Sequence, residues 1–317
     1  MSVPLFGCGS SATSSDKASE GPQEILDEAT VHGIESGVVN ASLSVDAPGK
    51  EGGNLFVRIL APFQSEGEGA RPRVDIRAEG NGTYNGDEFD FDNSLTVLPD
   101  SAYVGYEGTE YEISESTLGF FESTLQQAQR ENGGEAGSAA ACQEELTNLR
   151  VADLVENANK TASASLGGAY ATKVYGELDA SAAINAVTES QACLDLLAAF
   201  GPLPSQSEVD RVKGELINSA KNVKTYVYVD KEDNIVREIV LRGQIEPKSG
   251  NPKRINFDFQ LSLEEINKEQ DISAPEDAEP LSGLFIKLGV SPIEVLGLLQ
   301  RGVRDGVGEL FEQLGVS

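Results

Sequence analysis

The chain has 317 residues, 39% hydrophobic and 24% charged, enough for one large domain or two small ones. Its formal net charge of −28 excludes charge-driven binding to nucleic acid or anionic headgroups, and nucleic acid is not an expected partner. No apolar run reaches the roughly 18 residues of a membrane-spanning helix.

Leu5-Phe6-Gly7-Cys8 has the lipobox order: an aliphatic residue, a tolerated one, a small one, then cysteine. Cys8 is accordingly the predicted lipid-attachment residue, its thiol taking a diacylglycerol and its amine an acyl chain. Only seven residues precede it, none of them Lys or Arg, which is too short for a signal peptide. The reading therefore places the start of translation upstream; the alternative is an ordinary N-terminal cysteine. Gly9 to Gly21 is rich in Ser, Ala, Thr and Gly and has no large apolar residue. It reads as a tether. Residues 1–22 are assigned to lipobox and tether, and the expected location is extracytoplasmic, with a lipid anchor in the bacterial cell membrane. The two remaining cysteines, Cys142 and Cys193, form an even pair in an oxidising compartment and are predicted to be bridged. The alternative is two buried thiols.

Gln23 to Glu35 reads as a short amphipathic helix. The period then changes to two. Val39, Ala41, Leu43 and Val45 alternate with Asn40, Ser42 and Ser44, and Leu55 to Leu60 makes a second strand. Val74, Ile76 and Ala78 continue the pattern, as do Phe89, Phe91, Leu95 and Val97, then Ala102 to Tyr106 and Glu110 to Ile113. About six short strands with turns between them predict an antiparallel meander. Helices are predicted over Ser116 to Arg130, Cys142 to Ala158, Ala180 to Ala199 behind the N-cap Asp179, and Ser205 to Ala220 behind a capping box. One strand, Gly168 to Leu178, interrupts them. A second strand group follows: Val223 to Val229, a polar turn at Asp230 to Asn234, Ile235 to Ile245, and a strand on which Ile255, Phe257, Phe259, Leu261 and Leu263 share one face. Ser291-Pro292-Ile293-Glu294 opens a last helix, whose apolar stripe is Leu296, Leu299, Val303, Val307, Leu310 and Leu314.

The two groups total about ten or eleven strands. A single sheet of that size curls, and helices lying between the groups would cover its concave face. The predicted class is α+β, a strongly curved antiparallel half-barrel with helices on the concave face. Two separate domains are the alternative.

The catalytic inventory is thin. His32 is the single histidine and reads as a solvated residue of the first helix. HExxH, GxSxG and phosphate-binding glycine motifs are missing. Asp87 to Asn93 puts carboxylates at every second residue, which on a strand is one wet face. Asp230 to Asn234 lacks the Gly and Glu that a calcium loop needs at its sixth and twelfth positions. No enzyme activity, metal or cofactor is expected.

Four stretches carry a resemblance. They are Gly37-Val38-Val39-Asn40-Ala41-Ser42-Leu43, the hairpin from Ala102 to Glu112, the hairpin from Tyr226 to Arg237, and Asp271-Ile272-Ser273-Ala274-Pro275. Together they resemble the LolA/LppX-type bacterial envelope lipoproteins. The resemblance covers residues 23–280, taken as one half-barrel domain with a helical insert over about 114–220 and a tail at 281–317. It implies a monomeric periplasmic lipoprotein that binds or carries lipid or lipoprotein acyl chains. The candidate cavity lining is Leu43, Val45, Phe89, Phe91, Phe257, Phe259, Leu261 and Leu263. The rival reading is an envelope interaction or sensor module without lipid cargo.

Overall fold

In the computed structural model, residues 20–291 are described, apart from residues 50–51, 68–69, 85, 132–140, 143, 146–147, 162, 167–168, 198–205, 248–251 and 290. Cys8, the tether and the helix predicted beyond Ser291 lie outside these residues.

The long alternating segments pair with their neighbours in chain order. Strands β1 (Ser36–Ala47), β2 (Gly53–Gln64), β3 (Arg73–Tyr84), β4 (Asp87–Val97), β5 (Ala102–Tyr106) and β6 (Thr109–Ile113) form an antiparallel meander. The β5–β6 turn is set by Glu107 and Gly108, both at positive φ (49° and 74°). Two central residues of that kind make the tight turn whose twist suits a hairpin. The second group comprises β7 (Val155–Lys160), β8 (Ala164–Leu166), β9 (Ala169–Leu178), β10 (Ala220–Asp230), β11 (Val236–Ile245) and β12 (Ile255–Glu264). A two-residue β13 (Glu279–Pro280) pairs in parallel with β6.

The groups are joined by β1 and β12, which pair antiparallel from Val38 opposite Glu264 to Asp46 opposite Asn256. The result is one open sheet in the order β13-β6-β5-β4-β3-β2-β1-β12-β11-β10-β9-β7, with β8 paired to β9. This is the predicted curved half-barrel. The joining strands bury against each other edges that would otherwise template aggregation.

The helices whose bounds are described are α1 (Pro22–Glu28), α2 (Glu115–Glu131), α3 (Ala180–Thr188), α4 (Gln191–Leu197), α5 (Gln206–Ser219) and α6 (Leu281–Leu288). Among the described residues no helix is long and apolar enough to cross a membrane. Two hydrophobic cores sit at opposite ends of the same sheet face. In one, Ile25 and Leu26 of α1 pack with Val151, Val155, Val174, Val227 and Val229. In the other, Leu281 and Leu284 of α6 pack with Ala102, Tyr111 and Ile113.

Several expectations are corrected. The first helix ends at Glu28, because Ala29 is extended and Thr30 bridges to Ile235; His32 therefore lies in an exposed turn. Of the helix predicted over Cys142 to Ala158, Cys142, Glu144 and Glu145 are helical, but its second half is a 3-10 turn, Val151–Leu154, followed by β7, which pairs with β9. The helix predicted over Ala180 to Ala199 is broken: Ser190 Oγ accepts from Cys193 N at 2.9 Å and starts α4. Among the described residues the sheet has 13 strands, because β7, β8 and β13 are added. Cys142 and Cys193 are bridged, with Cα atoms 4.6 Å apart and a sequence separation of 51. A closed loop of that length is worth up to about 4 kcal/mol in the chain-entropy account.

Candidate functional site

Residues directly opposite in an antiparallel pair point to the same face, so the registers assign every side chain. Val39, Ala41, Leu43 and Val45 lie opposite Leu263, Leu261, Phe259 and Phe257. On the other side Ala41, Leu43 and Val45 lie opposite Ile59, Val57 and Leu55. The ladder runs on through Gly80 and Gly82 to Phe91 and Phe89, and the other way through Ile239 and Leu241. All eight predicted lining residues therefore share one face, the one that carries α1 and α6. Leu55, Val57, Ile59 and Leu95 belong to it too, although they were not among the candidates; the alternation on β2 and β4 is the signal that places them.

Among the described residues, the middle of this inner face is less buried than its ends. Leu43, Val45, Phe91, Phe257, Phe259, Leu261 and Leu263 are only half-buried. Ile59, Phe89 and Leu95 are 37%, 41% and 36% exposed. An apolar trough thus runs between two sealed cores. Fully burying such a side chain is worth about 1.5–3 kcal/mol, so these residues retain apolar surface that is not removed from water.

Glycines opposite the aromatics shape its floor. A Cβ on Gly80 would lie 2.6 Å from the Phe91 ring, and one on Gly82 would lie 2.7 Å from the Phe89 ring. Gly243 stands in the same relation to Phe257, at 3.0 Å. The rings lie across the missing side chains. The spacing Gly80-x-Gly82 against Phe89-x-Phe91 on one hairpin is a readable cue that the alternation alone does not supply. Gly80→Val should cost about 1–3 kcal/mol by overpacking. In urea unfolding, the cost should shrink in a Phe91→Ala background; an equal cost there would show that the ring is not the obstacle.

The opposite face is wet. Glu88, Asp90 and Asp92 lie opposite Thr83, Asn81 and Glu79 as a solvated acidic strip. Arg242 Nε donates to Asp258 Oδ2 at 2.7 Å, and Lys173 Nζ sits 4.3 Å from the centre of the Tyr226 ring. A shallow depression lined by Asn40, Ser42, Phe56, Arg58 and Gln260 lies here, away from the trough.

Glu238 is a buried acid on this outer face. Burial pushes its carboxyl above the ordinary value; donation from Gln260 Nε2 at 2.6 Å and the charges of Lys173 and Arg242 pull it back, and Glu264 pushes it up again. The net shift is upward. The folded state therefore holds this proton more tightly than the unfolded state does. Stability is highest below the unfolded value and is lost as pH rises through the window up to the folded one. Glu238→Gln should raise the melting temperature at pH 7, with the gain vanishing near pH 4, about the ordinary value of a free glutamate. Parallel thermal melts at both pH values check this; a variant no more stable at pH 7 would refute it.

No family model matches the sequence, and no curated protein matches it. Solved structures similar to the chain include LprF from Mycobacterium bovis, at 13% identity over 80% of this chain and 96% of that one, TM-score 0.38. The Mycobacterium tuberculosis lipoprotein LppX is also 13% identical, over 82% of this chain and 100% of that one, TM-score 0.31. An outer membrane lipoprotein-sorting protein domain from Vibrio parahaemolyticus is 12% identical, over 80% and 94% of the two chains, TM-score 0.18.

Proposed function

We propose that this chain is a lipid-anchored, extracytoplasmic lipoprotein, monomeric and non-enzymatic, whose inner sheet face binds acyl chains of a lipid or lipoprotein. The observation that carries the proposal is the half-buried trough between two closed cores. A dry core would seal Phe89, Ile59 and Leu95; here they remain open to an apolar occupant. Each methylene buried there contributes about 0.8 kcal/mol, so one long acyl chain supplies ample binding without any polar recognition. Residues 23–280 form the binding domain in this proposal, and residues 1–22 tether it through Cys8.

Native mass spectrometry of the protein purified from its own membrane tests the cargo: lipid-sized adducts, released by organic extraction, are expected. A clean protein mass would favour the interaction module instead. The anchor has its own test. With a signal sequence supplied upstream, the parent should partition into detergent and Cys8→Ser into the aqueous phase; equal partitioning would remove the anchor from the proposal.

A further inference from the structure

Strand β4 is longer than the strand beside it. Asp87 to Val97 pairs along its whole length with β3, with no shift of register. On its other side β5 covers only Asn93 to Val97. The β5–β6 turn, Glu107-Gly108, follows Tyr106, the partner of Asn93. Among the described residues nothing pairs with that side of Asp87 to Asp92. At about 3.4 Å per residue the open edge is about 20 Å long.

Hairpin geometry identifies the groups left open. Tyr106 and Thr109 flank a two-residue turn and exchange both of their backbone hydrogen bonds. Alternation then turns Tyr103 and Gly105 toward β4, where they meet Thr96 and Ser94. Counting back along β4, the N–H and C=O groups of Asp92, Asp90 and Glu88 point the same way, past the end of β5. The side chains of these three residues are exposed on the outer face. Among the described residues none of them is in an ion pair. Phe89 and Phe91, between them, belong to the inner face.

We propose that this edge docks an extended segment of another protein, which adds to the sheet antiparallel to β4 and carries Lys or Arg alternating with apolar residues. Main-chain pairing supplies the attachment. Alternation supplies the register. Partner residues opposite Glu88, Asp90 and Asp92 share the outer face and meet carboxylates, while those opposite Phe89 and Phe91 extend the apolar inner face. The edge is guarded by charge, and charge repels only strands of the same sign. That argues against a second copy of this chain. Pairing β4 with itself about Asp90 sets Asp90 opposite Asp90 and Glu88 opposite Asp92, like charges face to face.

The test uses the full chain carrying Cys8→Ser and a fluorescent peptide, Lys-Val-Lys-Val-Lys-Val-Lys. Two further peptides keep its charge: one is N-methylated at the lysines, the other at the valines. In the proposed register the lysine amides bond to β4 and the valine amides point away. Methylation at lysine should weaken binding at least about tenfold, a difference of about 1.4 kcal/mol, and methylation at valine should not. Glu88→Lys/Asp90→Lys/Asp92→Lys should lose the lysine peptide by a similar factor and bind the corresponding Glu-Val peptide instead. Hydrogen exchange should show new protection at the amides of Glu88, Asp90 and Asp92 when the lysine peptide binds, with those of Phe89 and Phe91, already bonded to β3, unchanged. No binding of the lysine peptide overturns the proposal. Equal affinity for the two methylated peptides also overturns it, in favour of adhesion by charge alone. Slow exchange of the three amides without peptide would mean that the chain covers its own edge. A dimer in sedimentation that Asp90→Pro abolishes, by removing an edge N–H, would make a second copy the partner. Either result overturns the proposal.

Discussion

Replacing Phe259 with Asp should weaken binding of a dansylated fatty acid by at least about tenfold, while leaving the protein folded. Phe259 occupies the centre of the trough, with Leu43 opposite it on β1 and Leu241 opposite it on β11. It is half-buried, so part of its surface is available to a ligand. Removing the ring forfeits about 2 kcal/mol of apolar contact, which alone exceeds the 1.4 kcal/mol of a tenfold change. The carboxylate must in addition lose water when an acyl chain covers it. Neither core contains Phe259, so the melting temperature should fall far less than affinity does. Ser42→Asp, one residue from Leu43 but on the outer face, is the control and should bind as the parent does. Equal fluorescence titrations for Phe259→Asp and the parent would mean that the probe does not enter the trough.

The trough was legible in the sequence because period-two alternation is a face assignment. Once β1 and β12 pair, Leu43 and Val45 must face with Phe257 and Phe259, whatever the helices do. The pairing itself followed from edge protection, since either group alone leaves long edges. Other elements were hidden by competing local signals. Val151, Leu154 and Val155 fit a helical stripe, yet Val155 enters β7. Pairing with β9 overrides the local period there, and Asn157 takes a left-handed conformation at φ 52° where the register shifts. Within Ala180 to Ala199, the apolar pattern continues across a real break. The cue was present at Ser190, a side chain able to cap the next helix, but a capping serine inside a helical run looks like any polar residue. The candidate site was half read: its residues were named from alternation, while the glycines under Phe89, Phe91 and Phe257 required knowing which strands adjoin.

Arg237→Ala should lower the free energy of unfolding by about 3–5 kcal/mol, the usual cost of removing one partner from a buried ion pair. Arg237 Nε and Nη2 both reach Asp230 Oδ2, at 2.9 and 2.7 Å, and Nη2 also reaches Asp233 Oδ2 at 2.9 Å. The Asp230 side chain is 5% exposed and that of Arg237 15%. The two carboxylates also hold the turn: Asp230 Oδ1 accepts from Glu232 N at 2.8 Å, and Asp233 Oδ1 from Ile235 N at 2.9 Å. Asn234 completes it at φ 60°. This turn anchors α1, because Thr30 N donates to Asn234 O at 3.0 Å and Val236 N to Thr30 O at 2.9 Å. Losing the guanidinium therefore takes the positive charge away from a buried carboxylate and loosens the segment that delivers Ile25 and Leu26 to their core. Arg237→Lys should fall in between, since a point charge cannot serve both carboxylates as a planar fork does. Adding Asp230→Asn to Arg237→Ala should recover part of the loss by removing the buried negative charge. Urea denaturation measures all three. A loss under about 1 kcal/mol for Arg237→Ala, the range of an exposed pair, would show that the clamp is a surface contact and that α1 is held by its apolar face alone.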